Sequence, residues 1–180
     1  MKPPPTFETE RLRLRPPVLE DADAVFVTYA RDPEVTRYLS FRPHRVVEDS
    51  RAFLRRCATE WSGDGPYTWI ITRRANDRPL GVISFRPQGH RVELGYALGR
   101  EHWGLGVMTE AVRALIEWAL GQTDVHRVWA VCDVDNAASA RVLEKAGMQR
   151  EGRLRAWSIH PNLSALPRDS WCYARVKETG

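Results

Sequence analysis

The chain is short of the features that mark special environments. Cysteine occurs three times in 180 residues, at Cys57, Cys132 and Cys172. The count is odd, the spacing wide, no CxxC occurs and no His pair stands at metal-ligand spacing. Neither a disulfide framework nor a metal site is therefore expected. Reduced thiols fit a cytoplasmic protein, which is the localisation expected here. No apolar run approaches the roughly 18–20 residues of a membrane span. The best stretch, Ala111 to Leu120, is broken by Arg113 and Glu117, so no membrane partner is expected. The opening Met1 to Thr6, rich in proline, lacks the apolar core of a secretory signal. Lysine is scarce too: all but three of the 27 basic residues are arginine, against 23 acids, for a net charge of +4. Acids are interleaved with the arginines nearly everywhere, and no specific nucleic-acid partner is expected; net charge of this size speaks to solubility rather than fold.

What is present is ordinary globular material, 43% hydrophobic and 28% charged. A chain this long buries about 70% of its unfolded surface without needing a staple. Residues 1–6 read as a disordered tail and 7–178 as a single domain, with no repeat and no linker inside it. Phe7 to Arg15 alternates leucine with arginine, the pattern of a half-buried strand. A helix follows from Glu20, with acids in its first turn, and ends at Asp32-Pro33. A short turn carries Val35, Tyr38 and Leu39. A second helix spans Val47 to about Trp61. Three strands follow with short turns between them: Tyr67–Arg73, Pro79–Arg86 and Arg91–Leu98. Loops that short imply antiparallel hairpins. Then come a glycine loop, a helix over Val107–Leu120, a strand over Arg127–Cys132, a helix from Asn136 to Ala146, and strands over Met148–Trp157 and Asp169–Lys177. The expected fold is α/β (α+β): a mixed, mostly antiparallel sheet of about seven strands flanked by four helices. The strands either side of the glycine loop form its parallel βαβ unit.

The segment Leu98 to Ala111 carries the strongest chemical signal. A strand ends, glycines follow, and a helix begins at once. Several free backbone N–H groups then converge beside the positive end of a helix dipole, a phosphate-binding geometry. Gly104 and Gly106 let a ligand approach the backbone closely. A P-loop would need Gly-Lys-Ser/Thr where Gly106-Val107 stands, and a dinucleotide fingerprint would need Gly or Ala where Thr109 stands. A tight turn without a ligand remains the plain alternative.

Further motifs narrow the choice. Trp103-Gly-Leu-Gly106, Thr109-Glu-Ala111, Asn136-x-x-Ser139, Lys145-x-Gly147 and Glu151-Gly152 occur in an order and spacing that resembles the GNAT N-acetyltransferases. Thr9 to Arg15, and Arg168-Asp169 followed by Tyr173, resemble the ribosomal-protein N-terminal acetyltransferase (RimJ/RimL-like) branch. The superfamily's broad loop signature begins with Gln or Arg, and here Glu101 stands in that place. The resemblance implies a GNAT fold with acetyl-CoA as co-substrate and no metal. It implies a cofactor site made by the backbone of Ala97, Leu98 and Gly99 along the pantetheine, and by Trp103, Gly104, Leu105, Gly106 and Val107 around the pyrophosphate. Asn136 and Ser139 would face the pantetheine and sulfur, and Arg141 or Lys145 the phosphates. Asn136 also reads simply as a helix cap, and Lys145 as a solvated cation in a last turn.

Acyl transfer to an amine needs a base, an oxyanion donor and an acid for the thiolate. The resemblance offers Glu93 as base, with burial expected to raise its pKa. It offers the N–H near Leu98 as oxyanion donor, and Ser139 as acid, with Tyr173 as rival. No well-placed histidine supplies a strong base, which favours α-amine acceptors, already substantially neutral near pH 7. The expected acceptor is a protein or peptide N-terminus. A small amine or a non-catalytic acyl-CoA sensor are the alternatives. Tyr38, Phe41, Tyr67 and Trp157 are expected to line the acceptor groove. Asp32, Glu34, Glu48 and Asp49 would give that side acid suited to a cationic amine. Pairing of the last strand across a homodimer is open.

Overall fold

The computed structural model describes residues 1–178. One sheet of eight strands runs through it in the order β1-β2-β3-β4-β5-β6-β8-β7. The strands are β1 (Phe7–Glu8), β2 (Leu12–Arg15), β3 (Tyr67–Arg73), β4 (Asn76–Gln88), β5 (Arg91–Leu98), β6 (Arg127–Asp133), β7 (Gln149–Ser158) and β8 (Arg168–Val176). Five α-helices accompany them: α1 (Ala22–Val25), α2 (Pro33–Thr36), α3 (Val47–Ser62), α4 (Val107–Leu120) and α5 (Ala137–Lys145). Among the described residues only β5 and β6 pair in parallel. The expected mixed, mostly antiparallel sheet is what forms.

The differences in count have local causes. The first expected strand is a hairpin, because Thr9 turns the chain: its N–H donates to the Leu12 carbonyl and its Oγ1 accepts from the Leu12 N–H, both at 3.0 Å. The extra helix, α2, starts where Asp32 caps it by accepting from the Glu34 N–H, with Pro33 in the first turn. Residues 1–6, expected as a solvated tail, lie against the fold: Pro3 is buried, and the Pro5 carbonyl accepts from the Trp69 indole N–H at 3.0 Å.

Two cores sandwich the sheet. On one face, Leu12, Trp69, Phe85, Val92 and Leu94 pack with Val112, Leu115 and Ile116 of α4 and Leu143 of α5. On the other, Ile70 and Ala97 pack under Val25, Tyr29 and Leu54 from α1, the turn after it and α3. The expected single helix from Glu20 is a 3-10 turn (Leu19–Asp21), α1, and then a widened π turn (Phe26–Ala30). That turn presses Thr28 onto Gly99, where a Cβ would stand 2.6 Å from the Thr28 Cγ2. Glycine at 99 thus lets the π turn sit directly over the end of β5.

Candidate active site

The site begins with a failure of strand pairing. β5 and β6 are in register only at Arg91↔Arg127, Val92↔Val128 and Glu93↔Trp129. Past Glu93 the two strands separate, while β5 stays paired with β4 as far as Gly81↔Leu98. The Gly99 N–H donates to the Leu80 carbonyl. Peptide groups alternate in direction along a strand. Those of Leu98 and Tyr96 therefore point away from β4, into the opening.

On the α4 face the opening is walled by the glycine loop. Gly104 and Gly106 have φ of +74° and +75°, and Gly106 caps α4 in the left-handed conformation. The exposed Trp103 donates its indole N–H to the Leu98 carbonyl at 2.8 Å, tying the loop to the strand end. Leu105 is half-exposed, Gly99 and Val107 are buried, and the free N–H groups of the first turn of α4 face the loop.

The loop is clamped from below by residues read at first only as strand and motif. Glu110 in the first turn of α4 accepts from the Thr9 hydroxyl (2.5 Å), the Arg11 N–H (3.0 Å) and the Arg11 guanidinium (2.6 Å). The same guanidinium reaches the Leu105 carbonyl at 3.1 Å. Burial alone would raise the Glu110 pKa, but the Thr9 and Arg11 donors outweigh it and hold the carboxyl below its usual range. The signal lay in Thr9 and Arg11 recurring with Glu110 in one motif set; the contact between them is visible only in three dimensions.

α5 supplies the other wall. Asn136 caps it, its side chain accepting from the Ser139 N–H at 3.1 Å. The Ser139 hydroxyl is 2.8 Å from the Tyr96 phenol. Burial pushes the Tyr96 phenol well above its usual pKa, with the Ser139 hydrogen bond opposing. Burial likewise pushes the neighbouring Cys132 thiol up to about 11. Tyr96 was not among the expected residues, although its place on β5 puts it at the edge of the opening. Tyr173 has a different partner on α5: it is fully buried, donates to Glu144 at 2.9 Å, and is pushed up to about 12 by burial and that carboxylate. Arg141 and Lys145 are exposed on α5.

On the opposite face lies a cleft of about 410 Å³. Glu93, Tyr96 and Ala97 form its inner end, and Phe41, His44, Phe53 and Arg56 its outer end. Glu93 is not sealed in as expected: its side chain is 23% exposed, and Oε2 accepts from Arg86 and Gln88, each at 3.1 Å. Of the expected groove residues, Phe41 lines the cleft. Tyr38 stands beside it, its hydroxyl donating to the Asp135 carbonyl and its ring against His160. Tyr67 is a core residue packed on Trp61, and Trp157 is exposed on β7, away from the cleft. Asn162 ties the wall together, donating to the Thr36 and Phe41 carbonyls at 2.7 and 2.8 Å. Of the four acids expected on that side, Glu34 is exposed and makes no ion pair among the described residues, and the other three are engaged. Asp32 pairs with Arg100, Glu48 pairs with Arg51, and Asp49 accepts from the Arg45 and Val46 amides.

Behind the opening, the buried Asp133 at the end of β6 accepts from Arg168 at 2.6 Å, which also bridges to Asp135. Among the described residues, no group of three or more His, Cys, Asp or Glu is gathered to hold a metal ion, and no helix is long and apolar enough to cross a membrane.

A splayed pair of parallel strands, with a glycine loop opening a helix on one face and a cleft on the other, is an arrangement suited to bringing two substrates together. Comparison with known proteins gives this arrangement a family. Residues 11–149 match the acetyltransferase (GNAT) domain, and the chain belongs to that family. It is 33% identical over 176 residues to the N-acetyltransferase YoaA of Bacillus subtilis (strain 168), covering 96% of this chain and 97% of the relative. It superposes on the crystal structure of a GNAT-family acetyltransferase from Bacillus anthracis with a TM-score of 0.83 at 26% identity, covering 97% and 99% of the two chains. A structure of the microcin C7 self-immunity acetyltransferase MccE with acetyl-CoA and AMP shares the fold, with a TM-score of 0.83 at 21% identity over 93% of each chain. Likeness to ribosomal-protein acetyltransferases of Escherichia coli is confined to 82 and 107 residues. The protein is an acyltransferase of the GNAT type that uses acetyl-CoA to acetylate an amine.

Proposed function

We propose that the protein acetylates the α-amine at the N-terminus of a peptide or protein by direct attack on acetyl-CoA. The observation that carries this reading is the separation of β5 from β6 past Glu93, which leaves the stretch of β5 that ends at the glycine loop unpaired where Glu93, Tyr96 and Ala97 also line the cleft. The thioester would lie in that opening. The Leu98 N–H, left unpaired by the splay, is the donor for the oxyanion, where a fixed N–H stabilises developing charge. Ser139, bonded to Tyr96, donates to the departing thiolate. Cys132, its thiol held protonated by burial, fits direct attack better than a covalent acyl-cysteine.

In this scheme the backbone from Ala97 to Gly99 pairs with the pantetheine, and residues 103–107 hold the pyrophosphate. Asn136 orients α5 through its cap and faces the pantetheine, while Arg141 and Lys145 flank the phosphates. Glu93, already taking two hydrogen bonds, acts as a weak base or through water. That suffices for an α-amine, with pKa about 7.7–8, better than for a lysine at about 10.4. The Thr9–Arg15 motif and the partial likenesses to ribosomal-protein acetyltransferases support a protein acceptor. One observation favours a small amine instead: 410 Å³ lies in the usual range of small-ligand sites. The three unpaired cysteines support a cytoplasmic placement as part of this reading.

CoA release from acetyl-CoA, measured with short peptides bearing free or blocked N-termini, tests the reading. Release confined to free termini is expected. Release with small amines but with neither peptide set would replace it.

A further inference from the structure

The outer end of the cleft runs on into a second hollow of about 400 Å³, sharing Phe41, His44, Phe53 and Arg56 with it. Three arginines border this hollow: Arg42, Arg45 and Arg56. Among the described residues Arg42 and Arg45 make no ion pair, and Arg56 meets only Glu60, at 3.8 Å. The one acid in the lining, Asp49, is turned to the Arg45 and Val46 amides, where it caps α3. The floor is aromatic: Phe41 and His44 lie 5.6 Å apart, His44 and Phe53 6.4 Å, and the Arg56 guanidinium sits 5.6 Å over the Phe53 ring. His44 bonds Ser50 at 2.8 Å, and burial lowers its pKa, which keeps the ring neutral and leaves the positive charge to the arginines.

From this arrangement we infer that the acceptor is an acidic peptide: its amine enters beside Glu93 and its following acidic side chains dock on Arg42, Arg45 and Arg56. The inference rests on the peptide N-terminal reading above and adds a charge preference to it. Unpaired guanidiniums beside a catalytic cleft attract carboxylates over a distance and bind them in pairs of hydrogen bonds. Three such contacts, each weak because exposed, together favour an acidic over a basic peptide by about tenfold or more. An acidic groove for a cationic substrate, the expectation from sequence, would favour the opposite charge.

The test uses amidated pentapeptides with free N-termini that carry Glu, Gln or Lys at positions two to five. KM is measured at saturating acetyl-CoA, and binding to the CoA-saturated protein by calorimetry. Expected is a KM and a Kd at least about tenfold lower for the Glu peptide than for the Lys peptide. Combined Arg42→Glu and Arg45→Glu substitution should reverse the order while leaving the KM for acetyl-CoA unchanged. Equal values for the three peptides, or a preference that survives charge reversal, would overturn the inference. Charge-dependent binding without acetylation of any peptide, together with turnover of an anionic small amine such as 4-(aminomethyl)benzoate, would remove the peptide as occupant. Failure of the N-terminal reading is thereby distinguished from failure of the arginine site.

Discussion

At the scale of single residues, the proposed chemistry would turn on Tyr96, Ser139 and Glu93. If Ser139 donates to the thiolate in the transition state, Ser139→Ala lowers kcat by about 100-fold with little change in the KM for acetyl-CoA. Tyr96→Phe keeps the packing and removes the partner hydroxyl, and should cost less, about tenfold. Tyr173→Phe should leave kcat within about twofold, because its phenol is spent on Glu144. Steady-state kinetics of the three variants decide between the two tyrosines. Glu93→Gln is expected to reduce kcat/KM by about tenfold near pH 7, the loss shrinking above pH 8 as an α-amine deprotonates by itself. A loss that stays constant across the pH profile would make Glu93 a positioning residue. Glu93 was legible from its place in an apolar strand before a glycine loop. Tyr96 was not, because two tyrosines on strands look alike until the packing on α5 shows that Tyr96 meets Ser139 and Tyr173 meets Glu144.

At the scale of elements, the glycine loop and its clamp set how firmly the ligand is held. Gly104 and Gly106 share a left-handed backbone, but nothing lies within 4 Å of a Cβ at 104, whereas one at 106 would meet the Arg11 guanidinium at 3.3 Å. Gly104→Ala therefore acts through strain alone, about 1–2 kcal/mol. Gly106→Ala adds disturbance of the Arg11–Glu110 clamp and should raise the Kd for CoA further, as calorimetry would show. The β6–β8 junction gives a pH prediction. Burial alone would raise the Asp133 pKa, but the Arg168 hydrogen bond, the Asp135 amide and nearby positive charge outweigh it and hold it low. Unfolded, the carboxyl titrates near its ordinary value of about 3.9. Below that the unfolded state binds the proton first, so the stabilisation present at neutral pH is lost as pH falls toward the lower folded pKa. Tm measured from pH 6 to 3 should drop less steeply in Asp133→Asn. The boundaries of β3, β5 and α4 were readable to the residue: glycines flank α4, Gly89 and Gly99 bracket β5, and β3 is a run of β-forming residues after Gly65-Pro66. The π turn and the short α2 were not: both depend on packing, against Gly99 and through the Asp32 cap, that leaves no periodic trace.

For the whole molecule, the consequence is mechanical as well as chemical. The sheet is two halves, β1–β5 and β6–β8 with β7 outermost, joined across the middle by three residue pairs and by helices α4 and α5 packed over the seam. A ligand whose pantetheine lies between the splayed strands supplies the pairing the protein leaves out there. In the proposed binding mode its phosphates would rest on the loop from the first half, while Asn136 and Ser139 would reach it from the second. Binding should therefore stabilise both halves together rather than one loop. By mass action, CoA at 100 times its Kd adds about 2.7 kcal/mol to unfolding. For a chain of this size that raises Tm by roughly 5–10 °C. Hydrogen exchange should slow in the same experiment at Tyr96 and Leu98 on β5 and at the start of α5, on opposite sides of the seam. Protection limited to residues 103–110 would mean that the ligand is held by its phosphates alone, with the thioester not drawn into the opening. In that case the Leu98 N–H would have no part in the reaction, because an oxyanion donor must stand within hydrogen-bond reach of the reacting carbonyl.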